Sequence, residues 1–350
     1  MAEFDFVISG LNPGKGGVPM FLDYLEKNNF RLCYPVKSNS IIGKILSKIV
    51  FFMRILMYGY KSKKFLIMHH QSIPFYVLLY IVYFCKYDYF AIDNSYFCIK
   101  SYNYNKKYSK TSCSKCLLDV KPLSSCNVFP SKRLKLFEVF ILKKIRQDIL
   151  SKRVSIYSLS NSSSNLISQS LPGAKVHTIG FTTVELENCI KKNYEITTNS
   201  KSLVFHGNAL EAKGINYFIL LSKYLPNYNF IIPTHGISFD NVKYVDCSWD
   251  TGLLDLILKS HIVFVPSLWD NTPEASTIKS MLLNKPVAYF PTKHSFENEF
   301  SECIGIKLTG NLLNDSIQIK DFNSIVQSKE LAENFLNKSK HNLLDVLRPS

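Results

Sequence analysis

The stretch PSLWDNTPEASTIKSMLLNKPVAYF, residues 266–290, decides the fold, because it passes from a buried strand through a polar turn into a helix and on to a second strand. Just upstream, HIVFVPS has the continuous β-branched and aromatic character of a strand covered on both faces, and KPVAYF at the far end reads the same way. Between them Asp270, Asn271, Thr272 and Pro273 form a cap-like cluster. Pro273 stands where a first helical turn tolerates proline, which predicts a helix start near Thr272. A helix N-terminus at the carboxyl end of a parallel strand offers backbone N–H groups to an anion, so the turn suits a phosphorylated ligand. An ordinary βαβ connection fits the same local pattern.

The same alternation extends outward in both directions. FDFVISG, KKFLIMHH, YDYFAID and VSIYSLS read as strands in the first half, with helices over GGVPMFLDYLEKN and IPFYVLLYIVYFC. SLVFHG, YNFII, HIVFV and KPVAYF follow in the second half, with helices over INYFILLSKYLP and LLDLILKS. This is an α/β chain of doubly wound type. At 350 residues it exceeds one ordinary core, so two domains are expected. We place them at residues 1–180 and 181–335, with a tail or helix over 336–350. The polar, weakly patterned stretch 180–202 marks the boundary, and a Cys-containing loop near 99–130 is an insertion.

Composition narrows the class further. An apolar content of 46%, with 13% aromatic residues, excludes wholesale disorder. The nine cysteines are scattered and odd in number, and MAEFDFVISGLNP reads directly as a strand and a turn rather than a signal. A reduced, cytoplasmic protein is the expectation. The formal charge of +15 is uneven: residues 1–170 hold 25 Lys and Arg against 9 Asp and Glu, and the remaining 180 hold 17 against 18. One half is strongly basic and the other neutral, as expected of a protein that meets an anionic surface.

The basic charge concentrates in SIIGKILSKIVFFMRILMYGYKSKK (40–64) and SKRLKLFEVFILKKIRQDILSKR (131–153), where Lys and Arg alternate with aliphatic bulk at helical spacing. That is the composition of peripheral helices on anionic lipid, and equally of surface helices with solvated lysines. Nucleic acid is not indicated, because polar readers of phosphate and base are missing from these runs. The best apolar run, IPFYVLLYIVYFC, is about a dozen residues against the roughly 20 that a bilayer span needs.

Two further turns share the grammar of the opening stretch. In NPGKGGVPMF, Gly14, Gly16 and Gly17 lie between a strand and a helix, where missing side chains let another group approach the backbone. In LVFHGNALEAKGINYF, a strand ends at His206 and Gly207, and Lys213 stands at the entry of the next helix. There its ammonium and the helix terminus are placed to clamp one diphosphate.

With these residues in view, the second half resembles the donor-binding domain of the GT-B glycosyltransferases of family four, retaining enzymes with two facing Rossmann-like domains. The likeness is strongest over 202–299. HGNALEAKG is similar to the family's strand end and Lys-Gly helix entry, with Lys213 matching the diphosphate lysine and Asn208 standing where arginine is usual. The family's later signature runs from Pro-Ser through an acidic turn and two glutamates eight apart to Gly-Lys-Pro-Val. Anchored at Lys285, Pro286 and Val287, this chain places Lys279 at the second glutamate, the usual ribose ligand, and Asn271 at the first. Asp270 and Glu274 are the nearest carboxylates, a pattern similar to a variant subgroup with Lys in place of the second glutamate.

More loosely, the first half resembles the acceptor domain of such enzymes. Gly16 and Gly17 match its glycine loop against the donor diphosphate. In YFAIDNSYFC, Asp93 stands where a catalytic histidine is frequent, and His70 ends the preceding strand.

The resemblance implies sugar transfer with retention, from a nucleotide-sugar co-substrate to a polysaccharide or lipid-linked saccharide, as in capsule or O-antigen synthesis. Glu274 and Asp270, with Asn271, would face the sugar, and Asp93 would complete the catalytic set. Lys213, Gly207 and the helix start near Thr272 would hold the diphosphate, with Asn208 and Lys279 as further donor contacts. No cofactor and no divalent metal are implied. Cys98, Cys113, Cys116 and Cys126 have one CxxC pair among them, so a structural zinc and free thiols both remain open. A non-enzyme alternative also stays open, a degenerate GT-B protein serving as a binding or scaffold subunit. The expected location is cytoplasmic, peripheral at the inner face of the membrane.

Overall fold

A computed structural model describes residues 5–61, 63–104, 112–114, 116–118, 132–192, 194, 201–270, 274–292, 296–300, 304–323 and 328–347. Asn271, Thr272 and Cys126 lie outside the described residues, as does most of the insertion expected near 99–130. The chain forms two compact units, one of residues 1–108, 113–184 and 337–350, the other of 109–112 and 185–336.

The first unit is built on six parallel strands: β1 (Phe6–Ile8), β2 (Leu32–Cys33), β3 (Lys64–Met68), β4 (Lys86–Ala91), β5 (Ile156–Ser158) and β6 (Val176–Thr178). Their order is β2-β1-β3-β4-β5-β6. The crossovers carry α1 (Gly17–Lys27), α2 (Ile41–Tyr60), α3 (Phe75–Phe84), α4 (Lys132–Leu150) and α5 (Asn161–Ser170). Two of these helices begin on a serine: the Ser40 side chain accepts from the Gly43 N–H, and Ser160 accepts from Ser163. Phe65, Leu66, Ile67 and Met68 are all fully buried, as a strand covered on both faces requires. The charges in this interior are paired: Asp88 meets Lys64 at 2.6 Å and accepts from the Ser155 N–H at 3.0 Å. Arg146, also buried, donates to the carbonyls of Leu117, Leu118 and Ser170 and so ties the described end of the insertion to α4.

The second unit holds β7 (Ser202–Phe205), β8 (Asn229–Ile232), β9 (Val242–Tyr244), β10 (Ile262–Phe264), β11 (Val287–Tyr289) and β12 (Gly305–Lys307), again all parallel, in the order β12-β11-β10-β7-β8-β9. Helices α6 (Val184–Ile190), α7 (Ile215–Ser222), α8 (Leu253–Lys259), α9 (Ala275–Leu282), α10 (Leu312–Asp321) and α11 (Lys329–Leu347) complete the chain. The stretch 180–202, expected to be an unpatterned boundary, contains α6, which buries Leu186 and Cys189. Phe218 of α7 packs against Phe205, Phe230 and Phe264 of three neighbouring strands, with ring centroids 5.6, 4.9 and 5.0 Å away. Truncating such a residue to Ala costs about 3–5 kcal/mol.

This strand order sets the position of a site. The chain enters the second sheet at its centre on β7, runs outward through β8 to β9, then crosses to β10 and runs outward the other way. Crossovers therefore diverge between β7 and β10, opening a crevice at their carboxyl ends where open α/β sheets bind ligands. In the first unit the same divergence falls between β1 and β3.

Candidate functional site

The turns after β7 and β10 are locked to each other. Gly214 has φ +80°, and a Cβ there would collide with the Pro266 carbonyl, so only glycine lets the two backbones meet. Next to it the Leu268 N–H donates to the Ala212 carbonyl at 2.9 Å. This junction brings together two of the expected site residues, Lys213 and Glu274. Lys213 Nζ lies 2.7 Å from Glu274 Oε1, with both side chains about one-tenth exposed (12% and 11%). Ser267 Oγ donates to the same carboxylate oxygen at 2.7 Å, and the Lys213 ammonium stands 4.9 Å from the centroid of the Trp269 ring. Asp270 is buried beside them in sequence, Gly207 is half-buried, and Asn208 is exposed.

The helix expected to start near Thr272 starts instead at Ala275, with Glu274 in the cap position. The Glu274 side chain does not cap it, being taken up by Lys213 and Ser267.

Lys279 lies on α9 within the same unit. Its ammonium donates to Glu185 Oε2 at 2.6 Å and sits 4.2 Å from the centroid of Trp249. The Trp249 ring also stacks on His206, at 5.9 Å between centroids and 10° between planes. His206 Nδ1 is 3.1 Å from Ser280 Oγ, whose hydrogen goes to the Ser276 carbonyl at 2.8 Å, so His206 carries its proton on Nδ1. Burial, reinforced by the Lys279 charge, pushes the His206 pKa down to about 3 and keeps the imidazole neutral. Lys285, the anchor of the Lys-Pro-Val run, is a structural residue: its ammonium donates to the Ser260 carbonyl at 2.9 Å, and burial lowers its pKa to about 8.

The first unit presents two separate features at its strand ends. Gly16, at φ +98°, precedes α1, no side chain caps that helix, and the space beside Gly14, Gly16 and Gly17 is open. After β3, His69 adopts a left-handed backbone at φ 52°, an uncommon state for a bulky residue. Its Nε2 is 3.7 Å from Asp93 Oδ2, while Asp93 Oδ1 accepts from the Ser95 N–H at 2.9 Å. Burial lowers the His69 pKa in spite of Asp93. Behind this pair, fully buried His70 joins the Tyr89 hydroxyl at 2.8 Å to Glu138 Oε1 at 3.0 Å. Burial raises the Glu138 pKa, but the His70 and Gln71 hydrogen bonds and the His70 and His69 charges outweigh it and leave the carboxyl below its usual range.

Solved structures share this architecture. Sucrose-phosphate synthase from Thermosynechococcus elongatus superposes with a TM-score of 0.57 at 11% identity, over 98% of this chain and 95% of that one. The Anabaena protein Alr3699/HepE, in complex with UDP-glucose, gives 0.57 at 11% identity, over 97% and 98%. The chain has the GT-B fold. A third structure, TarM, is matched at 14% identity and TM-score 0.49 over 83% of this chain, which spans about half (54%) of that protein. No protein-family model matches the sequence, and no curated protein does.

Within this GT-B chain several groups at the strand ends escape a linear reading. Trp249, Trp269, Glu185 and Ser267 come from turns and a short helix, and their partners stand up to 94 residues away in sequence. The histidine doublet after β3 is visible as letters, but its pairing with Asp93 and Glu138 is not. Among the described residues no three His, Cys, Asp or Glu side chains group as a metal site, and Cys126 lies outside them. Among the same residues no helix is long and apolar enough to cross a membrane.

Proposed function

We propose that this GT-B chain is a glycosyltransferase that moves a sugar from a nucleotide-diphosphate donor to a saccharide or lipid-linked saccharide, with retention of configuration. The observation that carries this reading is the Lys213–Glu274 pair at the carboxyl ends of β7 and β10, where the crossovers diverge and two turns are locked together. A cation and a carboxylate in one dry corner suit a donor whose diphosphate is anionic and whose sugar carries hydroxyls.

In the proposed reaction the bond from the anomeric carbon to the diphosphate oxygen breaks. The acceptor oxygen bonds that carbon on the same face, and its proton passes to the departing phosphate. Lys213 offsets charge on the leaving diphosphate, an effect that grows in a water-poor corner. Glu274, Asp270 and Asn271 hold the sugar, with Gly207, Asn208 and Thr272 along the diphosphate. The Lys279–Glu185 pair takes the ribose side, where the carboxylate now comes from α6 instead of α9. In the first unit, taken by itself, the open loop at Gly16 and Gly17 suits a phosphate, and Asp93 with His69 suits an acceptor hydroxyl. The basic first half faces an anionic membrane at which surface polysaccharide is assembled, on the cytoplasmic side. The UDP-glucose bound to Alr3699/HepE supports a UDP-sugar as the first donor to try.

The test is a screen of nucleotide sugars for binding and slow hydrolysis. Release of nucleoside diphosphate from one donor, lost in Lys213→Ala, supports the reading. Tight binding without turnover of any donor, in the presence of membrane extract, favours the scaffold alternative.

A further inference from the structure

Helix α2 turns its apolar side outward. Phe51 and Ile55 bury themselves against the sheet, whereas Ile42, Ile45, Leu46, Ile49, Met53 and Met57 are all exposed, from 48% at Met57 to 72% at Ile42. At about 100° per residue these six fall within an arc of about 120°, centred opposite the buried pair. A twenty-residue helix in water ordinarily shows polar residues there, so this face is built to be covered.

Charge decides between the candidate covers. Helix α2 carries Lys44, Lys48 and Arg54 and no acidic residue, and α3, which packs beside it, carries no charge at all. The neighbouring helix surfaces add exposed aromatics, Phe84 on α3 and Phe137 and Phe140 on α4. A second copy of the chain meeting this face about a two-fold axis would bring like charge against like charge with no carboxylate on either helix to offset it. Anionic lipid meets both needs together, since acyl chains cover the apolar arc and headgroups neutralise Lys48 and Arg54, which flank it about 120° to either side of its centre. The three cations also keep α2 from being a spanning segment and leave it suited to lie along the surface.

We propose that α2 is the element by which this protein lies on an anionic lipid surface, with Ile42, Ile45, Leu46, Ile49 and Met53 entering the acyl boundary. The inference rests on the membrane part of the proposed function and is independent of sugar transfer. It is tested by sedimenting the full chain with vesicles of phosphatidylcholine alone or with 30% phosphatidylglycerol, at low and high salt. The wild type is expected to bind the anionic vesicles at least about tenfold better than the neutral ones and to be released by high salt. Ile45→Glu/Ile49→Glu should abolish binding, and Lys48→Glu/Arg54→Glu should remove the preference for anionic lipid. Both pairs of positions are exposed, and unchanged thermal melting together with an unchanged response to nucleoside diphosphate shows that each variant is folded and its donor site intact. Binding by the Ile45→Glu/Ile49→Glu variant equal to wild type overturns the proposal. So does a wild type that ignores vesicles yet forms a dimer that the same substitutions dissociate.

Discussion

Lys213 and Glu274 stand 61 positions apart in sequence and meet at 2.7 Å in a corner where each is about nine-tenths covered. Removing one partner of such a pair leaves an unmatched charge, which costs more than removing both. Lys213→Ala is expected to destabilise the second unit by about 2–3 kcal/mol, and Lys213→Ala with Glu274→Gln by distinctly less, as read by urea unfolding. A second expectation concerns His206, whose folded pKa of about 3 lies below the ordinary 6.5. Below pH 6.5 the unfolded chain takes up a proton that the folded chain refuses, so stability is lost as the pH falls. The loss between pH 7 and pH 5 is about 2 kcal/mol, and His206→Phe should remove that part of the slope. The residues legible in the sequence were those at a motif spacing, Lys213 before its glycine and Glu274 after its proline. Trp249, Trp269 and Glu185 were not legible, because only the folded turns bring them to Lys279 and Lys213.

Among the elements, buried strands announce themselves and edges do not. β3, β7 and β10 are nearly continuous apolar runs because helices cover both of their faces, and β4 is interrupted only by Asp88, whose charge is paired with Lys64. The strands that the pattern does not reveal are β2, β6, β9 and β12, two or three residues each, and they are the four edges of the two sheets. An edge strand packs on one neighbour only, so VHT, VKY and GIK need no hydrophobic run to hold their place. A cap cluster shows that a helix follows but not its first residue: α9 starts at Ala275, with Glu274 in the cap position and its carboxylate on Lys213. At Gly214 the positive φ and the adjoining Pro266 carbonyl act together. Gly214→Ala is expected to cost more than about 2 kcal/mol and to weaken nucleoside diphosphate binding, whereas Gly173→Ala, with positive φ but open space around it, should cost about 1 kcal/mol and leave binding intact. Denaturant midpoints and a ligand titration on both variants separate the two outcomes.

Over the whole molecule, charge and topology divide the labour. The basic residues concentrate in the first 170 positions, where the outward apolar face of α2 also lies, and the neutral remainder carries the Lys213 corner. The two sheets, each with its own divergence of crossovers, were legible from alternating strand and helix patterns because every central strand is buried. The central claim is that the divergence between β7 and β10 is a nucleotide-sugar site with Lys213 on the diphosphate. The most direct measurement is the melting temperature of the wild type and of Lys213→Ala, titrated with UDP and other nucleoside diphosphates. A rise of several degrees in the wild type that vanishes in the variant, with turnover down at least about tenfold, is the expected result. A variant that keeps both the full shift and the full turnover would contradict the assignment.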